Sequence, residues 1–220
     1  MPKLLADILA VPAIYSWFRR QIGSASWRQT FVRQFLRPAS GMRVLDIGCG
    51  PGDILDFLGP VDYFGFDLSD SYIHRARILK GHLGRFERRA VEEVTPGQLN
   101  GFDLVMANGV LHHLNDAAAS HLVAVAAAAL NAGGRFVTID GLYYDQQPWL
   151  ERFVVSQDRG RFVRTANAYQ NICRAHFTGV SSTVLKGHLR IPYAVIIMES
   201  TVRGLRSDDP QGCAVTTDRV

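Results

Sequence analysis

Three groups of residues in this chain have the types and spacing to do chemistry. The first is Gly48-Cys49-Gly50-Pro51-Gly52, which follows directly on the apolar run Val44-Leu45-Asp46-Ile47. Glycines here remove the Cβ atoms that would keep a bulky ligand off the backbone, and they allow the positive φ a tight turn needs. The second group is His112-His113, inside Val110-Leu111-His112-His113-Leu114. A histidine is largely neutral yet basic near pH 7, so either ring is a candidate general base for an acceptor hydroxyl. Capping or packing at a helix start is the plainer role for each. The third is Asp140, the acid that closes the apolar run beginning at Arg135. It can serve the same acceptor, or organise a turn with Gly141.

These residues need a scaffold that brings them to one edge. Val44 to Ile47 reads as a buried strand, Asp53 to Leu58 as a short helix and Val61 to Asp67 as a second strand. Asp67 then ends its strand beside the glycine loop of a right-handed strand-helix-strand unit, where a carboxylate can accept from two ribose hydroxyls. Capping a helix is its alternative role, although Ser69 is the better cap. Ser69 to Lys80 is expected to be helical, Arg85 to Val91 a third strand and Phe102 to Ala107 a fourth. Asn108 to Leu114 follows at the carboxyl edge of the sheet. Asn115 or Asp116 should cap an alanine-rich helix that runs to Leu130 and stops at Gly133-Gly134. Arg135 to Asp140 is the fifth strand. Val180 to Lys186 and Ala194 to Val202 suit an antiparallel hairpin, with a helical stretch at 165–176 before them.

The glycine spacing is neither that of the dinucleotide loop G-x-G-x-x-G nor that of a phosphate-binding loop ending in Lys-Ser/Thr. It resembles motif I of the class I S-adenosylmethionine-dependent methyltransferases. Gly65-Phe66-Asp67-Leu68-Ser69 resembles the second motif of that family, and Leu130-Asn131-Ala132-Gly133-Gly134-Arg135-Phe136-Val137 its post-helix motif, with Ala132 at the usual proline. Together these stretches cover under half of the chain. The resemblance implies an α/β, Rossmann-like sheet of seven strands, mainly parallel with one antiparallel strand, helices on both faces and an N-terminal helical cap. It implies S-adenosyl-L-methionine as cofactor, held by Asp46, Gly48, Cys49, Gly50, Asp67, Leu68, Val91 and Asn108. The segment around His112 and His113 resembles that of small-molecule and sugar O-methyltransferases, in which these histidines and an acid in the place of Asp140 serve the acceptor hydroxyl. Two departures stand out. Ala90 occupies the position where the family usually has an acid for the adenine amino group, with Glu92 as a substitute two residues on, and Gly109-Val110 replaces the proline pair of enzymes that methylate nucleobase amines.

Bulk properties bound the rest. The 220 residues, 47% hydrophobic and 20% charged, fit one globular domain over residues 1–206, with a helical cap at 1–40, a substrate lid at 141–178 and a polar tail at 207–220. A formal charge of +4 comes almost wholly from scattered arginines, without a like-charged run, so a nucleic-acid partner is not expected. Arg159, Arg161 and Arg164 are candidates to clamp an anionic group on the substrate, or plain surface arginines. Three well-separated cysteines and no converging carboxylates argue against a metal or a disulfide framework. No stretch reaches the length of a membrane span, and a cytoplasmic protein is expected. The sequence therefore points to methyl transfer to a small molecule, with a non-catalytic cofactor binder, or an enzyme acting on RNA or protein, as rivals.

Overall fold

A computed structural model describes residues 25–156, 160–186 and 192–202. Residues 1–24 of the expected helical cap, Tyr15 among them, as well as Arg159 and the polar tail, lie outside the described residues. The described strands are β1 (Arg43–Ile47), β2 (Asp62–Asp67), β3 (Gly84–Arg88), β4 (Phe102–Asn108), β5 (Leu130–Tyr143), β6 (Arg164–Thr165), β7 (Gly179–Leu185) and β8 (Val195–Thr201). The helices are α1 (Ala25–Phe31), continued as a π turn through Leu36, α2 (Asp70–Lys80), α3 (Asp116–Ala129), α4 (Trp149–Ser156) and α5 (Ala166–Arg174).

The sheet order is β3-β2-β1-β4-β5-β8-β7, with the two-residue β6 paired to the far end of β5. All pairings are parallel except those of β8, which runs antiparallel to both β5 and β7. This is the expected seven-stranded sheet with one reversed strand, plus a short extra pairing. Parallel strands buried on both faces must be apolar on both, which is why β1 and β4 read as continuous apolar runs. Val44, Leu104, Met106, Val137 and Ile197 pack against α1 and α2 on one face. Leu45, Ile47, Val105, Ala107 and Phe136 pack against α3 and α5 on the other. Strand order reverses between β1 and β4, and the loops leaving such a reversal diverge to leave a crevice at the carboxyl edge.

Local differences from the sequence reading have identifiable causes. β3 stops at Arg88 because its partner β2 ends at Asp67, whose carbonyl takes the last bond, from the Arg89 amide. Val91 then sits in a 3-10 turn rather than in the strand. Glu93, not Glu92, folds back there to accept from the Ala90 amide at 3.1 Å, and His121 Nε2 holds the Val91 and Val94 carbonyls. Helix α3, capped by Asn115 as expected, ends at Ala129. Leu130 already pairs with Phe102, and an irregularity in the ladder opposite Asp103 absorbs the glycines, with Gly133 at φ 78°. β5 also continues past Asp140 to Tyr143. No helix among the described residues is long and apolar enough to cross a membrane.

Candidate functional site

The loop after β1 is built by backbone bonds to β2. The Gly48 and Cys49 amides both donate to the Phe66 carbonyl, at 2.8 and 3.0 Å, and the Gly50 amide donates to Asp67 Oδ2 at 2.9 Å. Asp67 Oδ1 accepts from the Ser69 amide at 2.8 Å, so the carboxylate fastens the glycine loop to the start of α2. Each oxygen retains a second lone pair, leaving Asp67 able to accept two further donors. Glycine is required at two loop positions for different reasons. Gly48 has φ 75°, and a Cβ there would meet Val110 Cγ2 at 2.6 Å. Gly50, with φ 55°, has no atom within 4 Å of where its Cβ would stand, so the loop offers open space beside Asp67.

A cavity of about 330 Å³ lies against this loop. The ends of β1, β4 and β5 form its floor, with Asp46, Gly48, Cys49, Gly50, Asn108, His112 and Asp140 among its walls. Trp27, Arg28 and Phe31 of α1 cover it, and Arg28 reaches Asp53 at 3.3 Å. Asp46 is 2% exposed and its Oδ2 accepts from the Tyr63 hydroxyl at 2.7 Å. Burial pushes its carboxyl up to about 7, against the lowering effect of that hydroxyl, with the negative charge of Asp67 adding to the rise. Asp46 Oδ1 and Asn108 Oδ1 are both buried without a hydrogen-bond partner among the described residues. Unsatisfied buried acceptors are costly, and a donor-rich or cationic ligand in the cavity would relieve both. The Cys49 thiol, raised by the same burial and by Asp46 and Asp67, stays protonated at neutral pH.

His112 and Asp140 meet at the far side of the cavity. His112 Nδ1 lies 2.8 Å from Asp140 Oδ1, which also accepts from the His112 backbone amide at 3.2 Å. Both side chains are buried, and the second carboxylate oxygen of Asp140 has no hydrogen-bond partner among the described residues. A carboxylate at Nδ1 selects the tautomer with its proton there, so Nε2 is the basic nitrogen. The His112 ring stands between Gly109 and Gly160, close enough to Gly160 that a Cβ there would strike it.

Sequence-chosen residues divide accordingly. Asp46, Gly48, Cys49, Gly50, Asn108, His112 and Asp140 share the cavity. Asp67 is joined to it through Gly50, whereas Leu68, 63% exposed, and Val91, buried, do not line it. His113 is exposed and packs against His112 with the rings tilted by 43° and their centroids 4.2 Å apart, outside the lining. Arg161 is exposed, while Arg164 is buried and turned inward, away from the role of a surface clamp. Arg28, Tyr193 and Val195 also line the cavity and carry no sequence signal for it, and Trp27 and Phe31 of the helical cap join them there.

Residues 45–136 match a family model described as a methyltransferase domain. The ubiquinone biosynthesis O-methyltransferase of Bradyrhizobium sp. (strain ORS 278) is 35% identical over 122 residues, 50% of this chain and 46% of that protein. The enzyme of the same name from Rhodopseudomonas palustris (strain BisB5) is 38% identical over 101 residues, 40% of this chain and 39% of that one. The chain thus spans less than half the length of these curated relatives. Among solved structures, a TehB-like SAM-dependent methyltransferase from Corynebacterium glutamicum ATCC 13032 superposes with a TM-score of 0.61 at 18% identity, covering 86% of this chain and 96% of that one, a likeness of fold.

Proposed function

We propose, from the premise that this chain belongs to the class I S-adenosylmethionine-dependent methyltransferases, that it moves the cofactor's methyl group to a hydroxyl of a small molecule. When bound, the cofactor supplies an electrophilic methyl on a sulfonium. The glycine loop and Asp67 would hold its adenosyl part, with two lone pairs of the carboxylate turned to the ribose hydroxyls. Asp46 and Asn108 would take the cationic amino-acid end, whose ammonium has donors enough for both orphaned acceptors and a charge that suits the Asp46 carboxylate.

The observation that carries the oxygen-acceptor reading is the buried His112–Asp140 pair in the wall of the same cavity. Nε2 of His112 would accept the hydroxyl proton as the oxygen attacks, and Asp140 would stabilise the imidazolium that forms. Methyl transfer is an in-line displacement, so the remaining work is alignment, which a cavity floored by three strand ends supplies. The relatives named as O-methyltransferases support oxygen as the acceptor atom. A sugar or a secondary metabolite remains the expected acceptor class, with residues of the 141–178 segment setting its identity.

The test is methyl transfer to a panel of hydroxylated small molecules, comparing the parent protein with His112→Ala. The variant should bind adenosylhomocysteine as the parent does and lose turnover by about 10²- to 10⁴-fold, the usual worth of a general base. Undiminished turnover in that variant would remove His112 from the chemistry.

A further inference from the structure

Arg164 opens β6 and is 8% exposed, an unusual depth for an arginine. Its Nη1 donates to the carbonyls of Leu111 and Phe162, at 2.8 and 2.9 Å, and Nη2 to the carbonyl of Leu114 at 2.7 Å. Nε and Nη2 both reach Asp116 Oδ1, at 2.9 and 2.8 Å. Leu111 and Leu114 bracket the two histidines, and the His112 carbonyl is itself taken by the Phe162 amide at 2.9 Å. The guanidinium also lies over the ring of Tyr169, whose hydroxyl donates to the Gly141 carbonyl at 3.0 Å, one residue beyond Asp140. β6 pairs with Leu142 and Tyr143 just after that point. One buried cation therefore touches the turn that bears His112 and, through Tyr169 and the β5 ladder, the strand end that bears Asp140.

We infer that Arg164 is a positioning residue that sets His112 against Asp140. The inference rests on the reading of His112 as the base and names what holds it in place. Only arginine fits this role, because four acceptors around one side chain need a rigid planar fork of donors. Lysine in its place keeps the charge, which Asp116 balances, but its three donors radiate from one atom and cannot span Leu111, Leu114 and Phe162 together. Nδ1 of His112 faces Asp140 on β5, and its ring lies against His113 on its own turn and against Gly160. Retaining the cation at position 164 keeps the local charge while the bonds that hold the turn are lost.

The experiment is a nitrogen-resolved NMR titration of the His112 imidazole in the full chain, for the parent and for Arg164→Lys, with kcat, KM and adenosylhomocysteine affinity measured on both. The His112 midpoint should fall in Arg164→Lys, since the imidazolium loses part of its contact with Asp140. kcat should drop about 10- to 100-fold, the cost of a misplacement near 1 Å, with adenosylhomocysteine affinity unchanged. Tyr169→Phe, which removes only the link to Gly141, should move the midpoint less and in the same direction. A parental midpoint and kcat in Arg164→Lys would overturn the inference, as would loss of cofactor-product binding together with turnover. A parent that binds no adenosylhomocysteine overturns the methyltransferase reading instead, and the His112 midpoint still decides whether Arg164 positions the ring.

Discussion

Replacing Asp140 by asparagine isolates the charge of the His112–Asp140 pair from its geometry. Oδ1 of Asp140 receives two donors, the His112 amide and Nδ1. An asparagine oxygen facing the same two donors keeps both bonds and the tautomer, because turning the amide nitrogen toward them would leave the buried amide of His112 without an acceptor. What is lost is the carboxylate's attraction for an imidazolium. A hydrogen bond to a charged group contributes about 1.5–3 kcal/mol against roughly 1 for a neutral one, a difference of about 0.5–2 kcal/mol. The corresponding loss in kcat is about 2- to 30-fold. Since the carboxylate favours the protonated ring, its removal lowers the His112 midpoint, and the acid limb of the kcat profile should move to lower pH. Rate measurements across pH 5 to 9 on both proteins read both quantities. A kcat equal to the parent's, with an unmoved acid limb, would refute the pairing as a catalytic device. A loss near that of His112→Ala would mean that the tautomer, not the charge, is what Asp140 controls.

Two further expectations concern the cofactor side. Gly48→Ala forces a side chain into φ 75° and against Val110, so the thermal transition should fall and adenosylhomocysteine affinity, measured where the variant is folded, should fall with it; an unchanged affinity would show that the loop does not meet the ligand. Asp46 carries a carboxyl raised by burial to about 7 from 3.8, so the folded state binds its proton more tightly than the unfolded chain. That group costs stability above pH 7, by about 4 kcal/mol at most, and the cost fades as pH falls through 7 toward 4. Asp46→Asn should accordingly be more stable than the parent at pH 8, equal to it near pH 4, and weaker in binding the cofactor product; denaturant melts at both pH values check the first two, and equal stability at pH 8 would contradict them.

The cofactor half of the fold was legible because its signals are local. The run Val44 to Ile47, the glycines after it and the acid ending β2 each report on neighbours in sequence, and a parallel βαβ unit allows them one arrangement. His112 and Asp140 were legible as members of one edge, since both follow strands of a parallel sheet. Their contact through Nδ1 was not, because it depends on the rotation of a 3-10 turn. Beside Arg159 and Arg161, Arg164 reads as a clamp for an anionic substrate group or as a surface arginine, since an arginine that spends its donors on carbonyls 50 and 53 residues away leaves no periodic trace. The start of β5 was misread for a related reason. Leu130 to Gly134 has the composition of a helix end, yet Leu130 finds a strand partner in Phe102, and tertiary pairing overrides the local stop signal.

Methyl transfer by this chain requires that the crevice between β1 and β4 receive an adenosyl group. Titration calorimetry with adenosylhomocysteine at pH 8, where Asp46 is ionised, addresses it directly, with Asp67→Ala run alongside. Saturable heat with the parent protein and a clearly weaker isotherm for the variant are expected, because the substitution removes the ribose acceptor and frees the Gly50 amide that shapes the loop. Folded parent protein that gives no heat, or a variant that binds as tightly as the parent, would contradict it.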